Sequence, residues 1–398
     1  MGSESKHDNL QLKSIQRVMS SIKPLPREDS MVPWNSLPGL VPRRYFPVGS
    51  SMGCGLVTGE AQVQDTERKS PHPVAGKETL RVLRTLRGDI RLPAYFPVTT
   101  FDYAKHPLDR LLQPYFKRLV DGIMVSYHYA PKMKQPFEIP TFIDSGGFVS
   151  LFRDTSLVEK DDHVLLKTSK EEIIHPGEVL DLQWRLADIA VTLDCLISPS
   201  MSLQECRLRQ DLTCKNALYA IKCWEKIQEP RPLLFAALQA WDAPSAMKLV
   251  EKLVSYPFAG YALGGMVPRT SRPEEILGIV RAIRKVDFSR PLHVFGIGTP
   301  KLAGALFENG VDSVDSSSFI QSAVSGRRVE RETGVYAAGK DSNELADGGE
   351  IVNMRLALGN LADTMRFLKM GPFAGVCRGK RQERLRLPER SSSIRPSS

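Results

Sequence analysis

Thr141-Phe142-Ile143-Asp144-Ser145-Gly146-Gly147-Phe148 passes from three strand-forming residues straight into an acid and two glycines. β-Branched and aromatic residues fit a pleated strand, and paired glycines end it in a turn whose backbone a ligand can approach closely. The same grammar recurs at Gly310-Val311-Asp312-Ser313-Val314-Asp315-Ser316, a second short strand that stops at a carboxylate. Two carboxylates at strand ends suit nucleophilic and acid/base chemistry, provided the chain brings them together.

Outward from these runs, short apolar β-rich segments alternate with longer amphipathic ones. The pattern predicts strands at Ala94–Thr99, Gly122–Tyr127, Thr141–Ile143, Ile189–Leu193, Leu233–Leu238, Gly260–Leu263, His293–Gly296 and Asp312–Val314. It predicts helices at Pro107–Leu119, Pro176–Ala187, Cys206–Gln228, Ala243–Leu253, Arg272–Val286 and Pro300–Asn309. Alternation of this kind reads as an α/β (β/α)₈ TIM barrel, with a doubly wound open sheet as the competing arrangement. The barrel makes the sharper prediction, because all its strand ends converge on one mouth. Asp144, Asp194, Gln239, Gly264-Gly265 and Asp315 each follow a predicted strand.

The expected organisation is an irregular N-terminal extension over 1–88, the barrel over 89–340, a short helical segment over 341–377 and a basic tail over 378–398. Residues 10–22 and 76–87 have helical character, whereas Met31–Arg44, rich in Pro, reads as irregular. A helix is also expected around Ile351–Met370.

Hydrophobic residues make up 42% of the 398 and charged residues 25%, the balance of a globular protein rather than a disordered or fibrous one. No run is long and apolar enough for a membrane span, and the N-terminus lacks the pattern of a secretory signal. Six cysteines show no paired spacing, which fits reduced thiols and a cytoplasmic location better than a disulfide framework. The net charge is +9, and the tail from Arg378 holds seven basic against two acidic residues. Such a tail fits a polyanion, read through phosphate attraction, or else a solvated segment with no partner.

Asp194 and Gln239 are polar groups able to read a flat heterocycle. A carboxylate suits the N1–H/N2–H edge of guanine, and an amide or a backbone N–H, such as Gly264-Gly265 offers, suits O6. Singly, each signal is weak, since a strand-terminal Asp is more often a cap and Gly-Gly a turn. Their placement at successive strand ends carries the weight.

In sequence these residues resemble the tRNA-guanine transglycosylase superfamily, whose members exchange guanine for a 7-deazaguanine within a polynucleotide. The similarity runs from about residue 88 to 330: Gly88-Asp89-Ile90-Arg91-Leu92-Pro93, Ile123-Met124-Val125-Ser126-Tyr127, Asp144-Ser145-Gly146-Gly147-Phe148, Asp188 to Cys195, Leu234 to Gln239, Leu263-Gly264-Gly265, Val294 to Pro300, and Gly310 to Asp315. The resemblance implies that Asp315 is the nucleophile on C1′ and Asp144 the acid/base. It implies that Ser145, Gly146, Gly147, Phe148, Asp194, Gln239, Gly264 and Gly265 bind the base.

Two departures point away from the standard tRNA enzymes. Their zinc site follows the nucleophile, but here Cys377 is the only cysteine beyond Asp315 and no histidine lies beyond His293. No zinc or other cofactor is therefore expected. The run Asp315-Ser316-Ser317-Ser318-Phe319 also differs, and with Gly264-Gly265-Met266-Val267-Pro268-Arg269 it resembles the DpdA-type DNA-guanine transglycosylases. That resemblance implies insertion of 7-cyano-7-deazaguanine into DNA, with companion proteins of a DNA-modification system, and a target nucleotide flipped or unpaired. Arg269, Arg327 and Arg328 are the expected phosphate contacts. A tRNA-modifying enzyme and a non-catalytic nucleic-acid-binding subunit remain the alternatives, with a barrel acting on a small phosphorylated substrate further behind.

Overall fold

A computed structural model describes residues 81–339 and 349–374. Its centre is an eight-stranded parallel sheet of β3 (Ala94–Pro97), β4 (Ile123–Val125), β5 (Thr141–Ile143), β9 (Ile189–Val191), β10 (Leu233–Leu238), β11 (Gly260–Leu263), β12 (Leu292–Val294) and β13 (Ser313–Ser316). The spatial order is β3-β13-β12-β11-β10-β9-β5-β4, so sequential strands are neighbours throughout. A parallel bridge between Val98 and Met124, with the Thr99 N–H donating to Met124 O at 2.9 Å, joins β3 to β4 and curls the sheet into a barrel. The expected α/β barrel is the observed fold.

The helices around it are α1 (Pro107–Leu119), α2 (Pro176–Leu186), α3 (Leu203–Trp224), α4 (Ala243–Leu253), α5 (Pro273–Val286), α6 (Pro300–Glu308) and α7 (Ser318–Val324). Local chemistry starts them where they start. Pro stands in the first turn of α1, α2, α4, α5 and α6, where its missing N–H costs nothing. Ser202 caps α3 by accepting from the Glu205 N–H, and Asp242 with Ser245 forms a capping box on α4. A single 3₁₀ turn, Ala130–Lys132, takes the place of a helix after β4.

Strand alternation divides the core in two. Tyr95, Ile143, Leu234, Leu292, Val294 and Val314 face the helices, while Phe96, Phe142, Val191, Phe235, Ala237 and Ala262 fill the barrel. The barrel filling extends to Ile90 and Leu92, which come from a hairpin of β1 (Arg81–Thr85) and β2 (Gly88–Leu92). The helical expectation for 76–87 is corrected for its described part: Arg81–Thr85 pairs with Gly88–Leu92 instead. Gly88, at φ +148°, takes a backbone conformation no helix accommodates, and from it Gly88–Leu92 runs back along Arg81–Thr85.

This hairpin is tied to the N-terminal ends of the barrel strands. The Arg87 N–H donates to Asp188 Oδ1 at 2.9 Å, its guanidinium pairs with Asp188 Oδ2, and the Thr141 N–H reaches the same oxygen at 2.8 Å. Asp312, at the foot of β13, pairs with Arg81 at 2.6 Å and with the buried Arg284. Ion pairs at this end serve stability rather than chemistry.

Two sheet features have no counterpart in the sequence reading. A small antiparallel sheet of β6 (Ser156–Glu159), β7 (Val164–Lys167) and β8 (Ile173–Ile174) is inserted after β5. A hairpin of β14 (Arg327–Val329) and β15 (Tyr336–Ala338) follows α7. Helix α8 (Gly349–Phe367), close to the expected 351–370, packs on α1 and α7. Its buried Asn360 accepts from the Val329 N–H at 3.0 Å and donates to Arg327 O at 3.0 Å and Phe319 O at 3.3 Å. The 10–22 helix, the irregular 31–44 segment, Cys377 and the basic tail lie outside the described residues. Among those described, no helix is long and apolar enough to cross a membrane.

Candidate active site

Parallel strands put all their C-terminal ends at one mouth, and the polar residues collect there. Asp144 leaves β5 with its Oδ1 accepting from the Tyr127 N–H at 2.7 Å, the Gly146 N–H at 3.0 Å and Ser126 Oγ at 3.3 Å. Burial raises its carboxyl above the usual range, and these donors pull only partly the other way. Gly146 makes the turn possible with φ +72°, and a Cβ there would meet the Tyr127 ring at 2.8 Å.

The next two strands build a closed polar cluster. Asp194, 3% exposed, accepts from Ser145 Oγ at 2.7 Å on Oδ1 and from Gln239 Nε2 at 2.6 Å on Oδ2. Gln239 is fully buried, and its Oε1 accepts from the Ile197 N–H at 3.0 Å. Burial is the main cause that pushes the Asp194 carboxyl up to about 6, against both donors and with the Asp144 charge adding to the rise. Glycine lets the walls close on this cluster. A Cβ at Gly147 would lie 2.0 Å from Asp194 Oδ1, and one at Gly264 would lie 2.2 Å from Gln239 Nε2. Gly265 sits at φ +72° with Ile197 O 2.7 Å from its would-be Cβ. Cys195, beside Asp194, has its thiol pushed up to about 12 by burial, so thiolate chemistry is not on offer.

Asp315 lies inside β13, 7% exposed, with Oδ1 facing His293 Nε2 at 3.1 Å and accepting from the Gly296 N–H at 2.9 Å. Phe148 is half-buried beside Phe152, ring centroids 5.6 Å apart in an edge-to-face pair. The cluster from β5, β9, β10 and β11 is therefore one hydrogen-bonded and packed unit, and Asp315 reaches the same mouth from β13.

Arg269 is placed differently from the expectation. It is 2% exposed, and its Nη1 donates to Gly265 O at 2.8 Å, so the guanidinium braces the Gly264-Gly265 turn instead of offering a surface contact. Its neighbour in space is Glu275, at 3.9 Å. Arg327 and Arg328 lie exposed on β14.

Two residues to which the sequence reading gave no role hold the site. Gln183 on α2 donates to Ile143 O, Asp144 O and Val191 O at 3.0 to 3.1 Å, bridging β5 and β9 where their ladder has ended. His293 touches Asp315. Only its position on the inward face of a strand next to Asp315's own could have drawn attention to it. Among the described residues, no cluster of three or more His, Cys, Asp or Glu is arranged to hold a metal. The zinc that the superfamily implies has no ligand set there.

Comparison with known proteins gives one family. The sequence model described as "Queuine tRNA-ribosyltransferase" matches residues 79–355, more than half of the chain. A queuine tRNA-ribosyltransferase of Helicobacter pylori is 26% identical over 176 residues, 43% of this chain and 47% of the relative. One from Helicobacter acinonychis is 27% identical over the same length. One from Thermotoga neapolitana is 24% identical over 258 residues, 61% of this chain and 69% of the relative. The match thus spans about half the length of the Helicobacter relatives.

Proposed function

We propose that this chain, which belongs to the queuine tRNA-ribosyltransferase family, is a base-exchange transglycosylase that replaces guanine in a nucleic acid with a 7-deazaguanine. The observation that carries this reading is the Ser145–Asp194–Gln239 cluster, closed by glycines and within the field of Asp144, with Asp315 toward the same end of the barrel on β13. Asp194 would accept N1–H and N2–H of the base through lone pairs that Ser145 and Gln239 leave free. The Gly264-Gly265 backbone would meet O6, and Phe148 would stack on the ring.

In the first displacement an Asp315 carboxylate oxygen forms a bond to C1′ while the C1′–N9 bond breaks. Guanine leaves with its bonding pair and takes a proton from Asp144. The incoming 7-deazaguanine then gives its N9 proton back to Asp144 and attacks C1′, and the C1′–O bond to Asp315 breaks. Two inversions give retention, and both carboxylates return to their starting state. The raised carboxyl of Asp144 suits a group that must hold a proton before the first step and take one back in the second.

We take the polymer to be DNA, on the Ser-rich run after Asp315 and the lack of zinc ligands beyond it. The names of the relatives favour tRNA as the second reading. Incubation of the full chain with labelled guanine or 7-cyano-7-deazaguanine and either DNA or tRNA separates them. Incorporation into DNA supports the first and into tRNA alone the second. Asp144→Asn and Asp315→Asn should each abolish exchange, and near-native exchange by either variant contradicts the role given to that residue.

A further inference from the structure

The interior of the barrel is packed with phenylalanine, yet one position on β12 carries an imidazole. His293 is fully buried, with its ring centroid 4.6 Å from those of Phe142 and Phe295 and 6.0 Å from that of Phe96. A phenyl ring would complete this packing with no polar atom to satisfy. Instead both ring nitrogens are engaged, and both by β13. The ladder aligns His293 with Ser313, and alternation turns Ser313 and Asp315 to the same inner face. Nδ1 lies 2.9 Å from Ser313 Oγ and Nε2 lies 3.1 Å from Asp315 Oδ1.

With a neutral ring, and Asp315 as the carboxylate its role requires, the two contacts specify one arrangement. With Nδ1 accepting from the Ser313 hydroxyl, the ring proton sits on Nε2 and is donated to the carboxylate. The Gly296 N–H reaches the same Oδ1 at 2.9 Å, from a backbone at φ +71° that glycine supplies. Both donors thus converge on one oxygen. Asp315 Oδ2 carries no hydrogen bond among the described residues.

We infer that His293 is a positioning residue for Asp315: oriented by Ser313, it fixes Oδ1 as the spectator oxygen and leaves Oδ2 as the attacking one. The inference rests on the proposed base exchange. When Oδ2 bonds to C1′, Oδ1 becomes the ester carbonyl oxygen and still accepts from His293 and Gly296. When the second base displaces the carboxylate, the returning negative charge is shared with a donor already in place. His293 keeps its proton throughout, so it acts through Asp315 and not as an acid.

The test compares His293→Phe, which keeps a buried ring and removes the donor, with His293→Gln, whose amide reaches toward the same oxygen. Exchange is followed with labelled guanine on whichever polymer the wild-type chain accepts, with Tm as the fold control. Removing a donor to a charged group is worth roughly 10- to 100-fold, so His293→Phe should lower kcat by about that factor. KM for the base should stay within about threefold, and His293→Gln should recover about tenfold of the loss. Ser313→Ala, a small change that keeps the imidazole, should lower kcat by about threefold in a chain that still folds, with Tm lowered by the unpartnered Nδ1. Wild-type kcat in His293→Phe overturns the inference while leaving base exchange standing. So does an equal loss in the Phe and Gln variants, or an unaffected Ser313→Ala should the Phe variant fail to fold. Absence of wild-type exchange on both polymers overturns the base-exchange reading itself, and the inference with it.

Discussion

Gln239 Nε2 donates to Asp194 Oδ2 at 2.6 Å, and the same amide accepts the Ile197 N–H at 3.0 Å through its oxygen. One side chain from β10 therefore holds both the carboxylate after β9 and the loop that follows it. Gln239→Leu would strip two partners at once from a buried site, at a cost of about 1–3 kcal/mol for each group left unsatisfied. We expect a lower Tm and, on the proposed role of Asp194, a KM for the free base raised about tenfold or more. An unchanged KM with a lowered Tm would reduce Gln239 to a structural strut.

The carboxyl of Asp194 is pushed up to about 6 by burial, so it gains charge as pH rises through that value. On the proposed role of Asp194, base capture uses the charged form as acceptor for N1–H and N2–H. The affinity for 7-deazaguanine should accordingly strengthen between about pH 5 and pH 7. Measuring KM for the base across that range checks this, with Asp194→Asn expected to be weak and flat. An affinity that falls as pH rises has the wrong sign for this assignment.

Gly147 cannot carry a side chain where it stands, because a Cβ would lie 2.0 Å from Asp194 Oδ1 and 2.5 Å from Asp194 O. Neither atom is the free end of a flexible chain. Gly147→Ala should displace the Asp144–Phe148 turn and destabilise the fold by about 1–3 kcal/mol. Base binding by calorimetry should be lost well before the fold is. Gly278, with nothing within 4 Å of its would-be Cβ, is the control position and should tolerate Ala.

At the opposite end of the barrel, Arg284 and Asp312 pair with both side chains under a tenth exposed. Arg284→Met leaves a buried carboxylate short of its main partner, a loss of about 3 kcal/mol. Denaturant unfolding should show that loss while KM for the base stays at the wild-type value, since this pair lies at the strand starts. A matching loss of base affinity would mean the two ends are coupled.

Much of the fold was legible because it rests on patterns that sequence displays. Eight short apolar runs separated by amphipathic stretches led to the barrel, and the residue after each run led to Asp144, Asp194, Gln239 and Gly264. What escaped depended on contacts between distant residues. Residues 76–87 looked helical, but their described part pairs with Gly88–Leu92, whose Ile90 and Leu92 plug the barrel in company with Phe96 and Met124, a tertiary reason that no local window contains. Gln183 sits on an apolar helix face and shows its use only where β5 and β9 part. Arg269 looked like a phosphate contact because arginine is usually exposed. Burial against the Gly265 carbonyl overrides that default.

The central claim is that Asp315 forms a bond to the sugar, and peptide mass spectrometry tests it most directly. The full chain is incubated with guanine-containing DNA or tRNA fragments without a second base, denatured and digested. The prediction is a mass increase equal to the fragment less guanine, located on the peptide holding Asp315 and absent in Asp315→Asn. Base exchange by the wild-type chain with no such adduct, or an adduct that persists in Asp315→Asn, contradicts it.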